Sequence, residues 1–426
     1  MERLEERSFW MICTTHMFLE VFLFVQVALI PVYIREFHLS ILQASLVATI
    51  PSLVQLAMNI PSGYLADRFQ ARHLLFASMM MEGFSAILVS QTRSFWTLVL
   101  GVSILRISSP IYHISGLSGI SRFVSPGRMN RSMGFHNALG SFGSTMGLLS
   151  LSLSLSLSPL AWRSTYLVWS IPILVWGLVI LKYLRVEKDW IGGRNEDSIK
   201  DVTERNPQRM LRNIGTEVER GTEKEGGREN GRIRRSSRIF MVLSSTFIAF
   251  LTVLGIREVG ITGASTFMTT YFVKIRGLSE SSASLLYSLG PIVGIFGSLV
   301  GGYIGERAGE KRALSLAFLG SALSLILMVL LPFQNIFFIT IPYILYSFFN
   351  NCVWSPINTI VAKITPPRER GLSFSLYFFT EGLVTSLAPT VAGLLIELLG
   401  IPILFPFSAI CLLVSLVFLN LLLKID

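Results

Sequence analysis

The sequence is short of charge. Asp, Glu, Lys and Arg make up 15% of its 426 residues, where soluble chains carry about 25%. With 51% hydrophobic residues and a mean hydropathy of +0.60, that deficit excludes an ordinary soluble globular protein. Cysteine is also scarce: Cys13, Cys352 and Cys411 all lie inside apolar stretches. A disulfide framework is therefore excluded, and no metal site is expected. There is no Gly-rich loop ending in Gly-Lys-Ser/Thr, no His-Glu-x-x-His and no Gly-x-Ser-x-Gly. Those absences remove the signatures of an ATP-driven pump, a zinc hydrolase and a serine hydrolase. A cleavable signal is not expected either, because the first apolar stretch is too long for one.

What is abundant is long apolar runs. About 20 residues cross a hydrocarbon layer of ~30 Å, and twelve such spans are predicted, making the fold class an all-α polytopic membrane protein. In the first half they run 9–34, 40–66, 72–91, 94–122, 131–157 and 163–184. In the second half they run 239–273, 280–305, 311–332, 335–363, 370–397 and 401–423. The Leu-Ser alternation from Ser150 to Ser158 has the period of a strand, but a lone strand cannot satisfy its backbone in lipid. It is read as the outer end of the fifth helix.

The two halves are copies. Gly63-Tyr64-Leu65-Ala66-Asp67-Arg68 returns 239 positions on as Gly302-Tyr303-Ile304-Gly305-Glu306-Arg307. Leu39, Ser40, Ala44 and Ser45 meet Leu278, Ser279, Ala283 and Ser284 in the same register, and Arg131 and Gly143 meet Arg370 and Gly382. This register implies two six-helix bundles, 1–184 and 239–426, as pseudo-repeats. Residues 185–238 are rich in Arg and Glu and read as a charged cytoplasmic linker.

The net charge of +10 does not indicate nucleic acid, because its distribution follows the positive-inside rule. Arg68, Arg72, Arg122, Arg128, Arg131, Arg307, Lys311, Arg312, Lys363, Arg368 and Arg370 fall on one side. Arg35, Arg93, Arg163, Lys274 and Arg276 fall on the other. The bias puts both termini in the cytoplasm, and a multi-pass protein of the cell membrane is expected, working as a monomer in the lipid bilayer.

A charge near the bilayer centre costs about 2.5–3.5 kcal/mol on insertion scales, so charges inside spans are candidate site residues. His16 and Glu20 share a face of span one, and Arg106 and His113 share a face of span four. Span seven has Arg257 beside Glu258; adjacent helical residues diverge by about 100°, so these two are not expected to pair. Asn350 and Asn351 lie on span ten, His136 near the start of span five, and Glu381 on span eleven. Glu82, on span three, is expected to be structural. Spans one, four, seven and ten are thus expected to share a polar cavity between the halves. Small-residue stripes mark the fifth span (Gly140, Gly143, Gly147), the eighth (Gly290, Gly294, Gly297, Gly301) and the eleventh as helices that meet other helices.

The stretch Gly63-x-Leu65-Ala66-Asp67-Arg68 with Arg72 resembles the cytoplasmic signature that follows the second helix in the major facilitator superfamily. The copy at Gly302, Glu306, Arg307 and Lys311 resembles the weaker one after its eighth helix. Arg106 stands where the family's fourth-helix arginine does, and span one resembles the fosmidomycin-resistance-like, drug-efflux branch. Gln70 and Ala71 depart from the family's Gly-Arg pair, and span five lacks the proline of the antiporter version. The resemblance implies a twelve-helix secondary transporter that rocks around a midplane site and is not an enzyme. Asp67 with Arg68, Arg72 and Arg131 would then latch the cytoplasmic side against span eleven.

The expected activity is proton-coupled efflux of a small amphipathic compound. It needs no cofactor beyond the proton motive force. Glu20 and Arg106 lead as substrate or proton sites, followed by Glu258, Arg257, Glu381, His16, His113, Asn350 and Asn351. Proton-coupled or facilitative uptake of an organic anion, held by Arg106 and Arg257, or of another metabolite is the alternative. A membrane sensor or enzyme is the reading of another class.

Overall fold

The computed structural model describes residues 2–123, 129–184, 244–332, 336–364 and 370–422. Among these, twelve helices are long and apolar enough to cross a membrane, and there is no strand. Their bounds follow the predicted spans, and the Leu-Ser alternation is helical as far as Leu157. The linker at 185–238 lies outside the described residues, as do 239–243 of the predicted seventh span, whose helix runs Ser245–Lys274. The repeat extends to the helix caps. Ser40 accepts from Gln43 N at 3.1 Å to start span two, and Ser279 accepts from Ser282 N at 3.1 Å to start span eight. Each hydroxyl meets one of the N–H groups that a helix start leaves bare.

Span one is not the continuous helix that was predicted. It is built from Glu2–Glu20, Val25–Ala28 and Ile30–Glu36. Pro31 explains the second interruption, because it has no N–H to give to the carbonyl of Val27. Thr269 Oγ1, from span seven of the other half, donates to that carbonyl at 3.0 Å instead. The earlier interruption, Val21–Phe24, contains neither Pro nor Gly. Span ten is broken too, into Phe337–Asn351 and Trp354–Ile364. There Pro356 removes the N–H that would have met the carbonyl of Cys352.

Glycines of the predicted stripes lie against these broken helices. A Cβ on Gly143 or Gly147 of span five would run into the carbonyls of Met17 and Val21 on span one. One on Gly297 or Gly301 of span eight would run into those of Phe348 and Cys352 on span ten. Small residues are needed where two backbones come this close.

The two halves meet on the face opposite the chain ends, here called the far face. Arg35 pairs with Glu280 there, and Leu42 N donates to Glu397 Oε1 at 2.9 Å. Thr49 bonds Thr390 at 2.8 Å, Ser152 Oγ donates to Ser281 O at 2.9 Å, and Ser284 Oγ donates to Leu148 O at 3.2 Å. Toward the terminal face the halves diverge around a cavity. A Cβ on Gly63 would meet nothing within 4 Å, and Tyr64 and Tyr303 are each 55% exposed.

Replacing Gly147 with Ala should force spans one and five apart and cost about 1–3 kcal/mol, as overpacking does. Gly63→Ala, with open space around it, should leave stability unchanged or raise it. Melting temperatures of the two variants in detergent check this contrast.

Candidate functional site

A cavity of about 550 Å3 opens between the halves, within the range that takes a small organic ligand. Its first-half wall comes from spans one and five, with His16, Glu20, Phe24, Asn137, Ser141 and Ser144. Its second-half wall comes from spans seven, eight and ten, with Ser265, Tyr287, Tyr343, Tyr346, Asn350, Asn351 and Trp354. Spans one, seven and ten line it as predicted, but span four does not. Its place is taken by the glycine-striped spans five and eight, which pack closely on spans one and ten and so reach the cavity.

On the first-half wall, Glu20 sits among histidines. Its Oε1 lies 3.4 Å from His16 Nε2 and 3.7 Å from His113 Nε2. The ring of His16 stacks on that of His136 at 4.0 Å and on Tyr112 at 5.4 Å. His16 Nδ1 lies 3.0 Å from the carbonyl of His136. Tyr112 donates its hydroxyl proton to Ile12 O at 2.9 Å, so its oxygen accepts from His136 Nε2 at 3.0 Å. The two histidines predicted on separate spans are thus brought to one carboxylate. His16, Glu20 and His113 are also the trio among the described residues with ligand atoms all within 4.8 Å of one another, a grouping that no spacing in the sequence displays.

Arg106 lies near this cluster but outside the main cavity. Its Nη2 donates to the carbonyl of Leu23 at 3.3 Å, the group released by the first interruption of span one. It lines a separate chamber of about 160 Å3 with Gln26, Ser52, Thr262, Thr266 and Thr385. Gln26 Nε2 is buried there without a partner. The sequence reading passed over Gln26, although it is an uncharged polar residue in the middle of an apolar span.

In the second half Arg257 and Glu258 do pair, which corrects the expectation from their helical angle. The arginine chain is long enough to fold back across the 100° between them, and with 1% of Arg257 exposed the charge requires a partner. Arg257 also donates to the Asn350 side chain and to its main-chain carbonyl at 3.4 Å, beside the break in span ten. Thr262 Oγ1 donates to Glu258 Oε2 at 3.3 Å. Both Nη atoms of Arg257 are thus engaged within the protein, while its Nε is buried without a partner. Glu381 lines a small pocket with Glu258 and Tyr377, outside the main cavity. Glu82 is 1% exposed and accepts from Ser108, while its Oε1 is buried without a partner.

In the repeated turn, Arg68 stacks on Tyr64 at 4.0 Å, and Arg307 on Tyr303 at 4.7 Å. Lys311 Nζ donates to Asn420 O at 3.2 Å, and Glu310 takes Lys363 at 2.7 Å. Gly302 and Glu306 lie in the last turns of the span-eight helix. Of Arg72, the Nε is buried without a partner. The side chains of Asp67, Arg131 and residues 370–375 lie outside the described residues, and the predicted latch with them.

Compared with known proteins, residues 12–345 and 250–426 match the model of the Major Facilitator Superfamily. No curated protein matches the sequence. A bacterial homologue of the human lysosomal transporter Spinster, inward-facing and unoccupied, is similar in structure, with a TM-score of 0.71. The two are 14% identical over 98% of this chain and 96% of that one. A POT family transporter in complex with a thioalcohol-conjugated peptide has a TM-score of 0.72, with 15% identity over 97% of this chain and 96% of its own. At these identities the likeness is one of fold.

Removing Arg257 should leave Glu258 buried without a counter-charge and the Asn350 carbonyl without a donor. Arg257→Ala should cost about 3–5 kcal/mol, and Arg257→Met with Glu258→Met together distinctly less. Thermal unfolding of the purified variants reads the difference, and equal losses would count against the pair.

Proposed function

The chain belongs to the Major Facilitator Superfamily, and from that premise we propose that it exports a small amphipathic molecule in exchange for protons. Its two halves rock about the cavity between them, exposing it to one side of the membrane at a time. The termini are cytoplasmic, as the Lys and Arg bias argues, so the arrangement described here is open to the cytoplasm and ready to take up cargo.

The observation that carries this reading is the lining of the 550 Å3 cavity. Aromatic faces from Phe24, Tyr287, Tyr343, Tyr346 and Trp354 supply apolar contact, and Asn137, Asn350 and Asn351 supply amides. Among the described residues no arginine or lysine lines it, which favours a neutral or cationic cargo over an anion. Glu381 is the group we assign to the proton. It faces Tyr377 and Glu258, and Glu258 is already matched by Arg257. Among the described residues Glu381 has no salt bridge, so it can gain or lose a proton without breaking one.

A second reading, uptake of a small organic anion, is favoured by one feature. Arg106 and the unpartnered Gln26 amide face the 160 Å3 chamber, and a short carboxylate would fit their donors.

In proteoliposomes with an imposed pH gradient, a panel of fluorescent amphipathic compounds should include one that moves against its own gradient. Glu381→Gln should abolish the dependence on the pH gradient while sparing exchange. If nothing moves with or without the gradient, the export reading fails, and movement of small carboxylates alone would favour the second reading.

Rocking requires the far face to open. Ser152 Oγ and Ser281 Oγ are 3.2 Å apart, so Ser152→Cys with Ser281→Cys should form a disulfide that stops transport and is reversed by reductant. Full transport in the oxidised double variant would rule out the rocking motion.

A further inference from the structure

We propose that His16, Glu20 and His113 form a binding site for a divalent first-row transition-metal ion, with one coordination position open to the cavity. The site is built from groups 97 positions apart in sequence, and it stands or falls separately from the transport reading, since binding requires no movement of cargo.

The first argument is spacing. Around an ion held at about 2.0–2.2 Å by nitrogen and oxygen ligands, neighbouring tetrahedral ligand atoms lie about 3.4 Å apart. Glu20 Oε1 is 3.4 Å from His16 Nε2 and 3.7 Å from His113 Nε2, and the three ligand atoms lie within 4.8 Å of one another.

The second is the position of a proton. The carbonyl of His136 can only accept, so His16 donates to it from Nδ1 at 3.0 Å. In a neutral ring that leaves a lone pair on Nε2, directed at the carboxylate of Glu20. Two electron-rich atoms facing each other need a cation between them. A proton would draw them to the 2.7–2.9 Å of a charge-assisted hydrogen bond; the 3.4 Å observed and the convergence of a second imidazole on the same oxygen suit a larger ion. A backbone carbonyl on the remote nitrogen is also the usual support of a metal-bound imidazole.

The third is what the surrounding groups leave undone. His113 Nδ1 is buried without a partner, and its Nε2, 3.7 Å from Glu20, is beyond hydrogen-bond length. Arg106, the nearby cation, donates to Leu23 O and forms no salt bridge with Glu20. Meanwhile His16 is held rigidly between Tyr112 and His136, over a glycine, Gly140, whose Cβ would overlap its ring. Two imidazoles and one carboxylate suit zinc, cobalt, nickel or copper rather than magnesium or calcium. His16 and Glu20 line the cavity, so the open position faces its contents.

The test uses the full-length protein in detergent, stripped with a chelator. Titration with Co2+ should give one equivalent of binding with visible absorption bands of a low-coordinate site. Zn2+ should displace the Co2+ and raise the melting temperature, and Mg2+ and Ca2+ should do neither. His16→Gln, His113→Gln and Glu20→Gln should each remove the bands and weaken Zn2+ binding by at least about 100-fold, more than loss of an outer-shell partner costs. His38→Ala with His73→Ala, which removes the two histidines outside this cluster and its neighbour His136, should bind as the native protein does. Metal-free melting temperatures guard against misfolding. Absence of stoichiometric binding by the native protein would overturn the site, as would binding that survives all three ligand replacements or is lost in His38→Ala with His73→Ala.

Discussion

A carbonyl released inside a membrane has no water to turn to, and leaving it unmet costs several kcal/mol. Among the described residues two spans are broken, and three side chains meet carbonyls at the breaks. Arg106 takes the one on Leu23, Thr269 takes the one on Val27, and Arg257 takes the one on Asn350. The two arginines give the repeat an unexpected form. In the first half the arginine is on the fourth span and serves the broken first span. In the second half it is on the first span and serves the broken fourth. Both copies satisfy one constraint with donor and acceptor exchanged, so residue-by-residue alignment of the halves does not reveal it.

The charges that sequence reasoning marked as costly accordingly divide into two kinds. Arg106, Arg257 and Glu258 are chiefly committed to holding broken helices. Glu20 and its histidines face the cavity, and the opposite wall offers amides, hydroxyls and aromatic rings. The cavity is therefore electrostatically one-sided, and a cargo would be oriented by it.

Much of this architecture was legible because it depends on local or repeated features. Twelve spans follow from hydropathy and length, and the register at 239 positions extends even to the caps at Ser40 and Ser279. The Gly143 and Gly297 stripes correctly named helices in close contact. The breaks at Pro31 and Pro356 were not foreseen, because Pro51, Pro61, Pro110 and Pro389 sit inside unbroken helices and proline alone does not mark a break. The interruption at Val21–Phe24 contains neither Pro nor Gly, and the donor that meets its Leu23 carbonyl is an arginine 83 positions away. The pairing of Arg257 with Glu258 was misjudged because helical angles describe where side chains start, not how far a long one reaches. The His16–Glu20–His113 cluster depends on the docking of span four against span one, which no periodicity encodes.

The far face has one more consequence. Beside the packing of spans two on eleven and five on eight, its polar contacts are mostly neutral bonds among Thr49, Thr390, Ser152, Ser281 and Ser284, each worth about 1 kcal/mol net because water can replace it. The ion pair of Arg35 and Glu280 has its arginine half exposed and adds about 0–1 kcal/mol. Such polar contacts can be undone bond by bond, each loss offset by hydration as water enters. Two shapes separated by only a few kcal/mol coexist at equilibrium, the minor one at roughly 0.1–10%. On the rocking reading proposed above, a protein closed in this way would sample its other shape at rest, and a cargo would have only to choose between them.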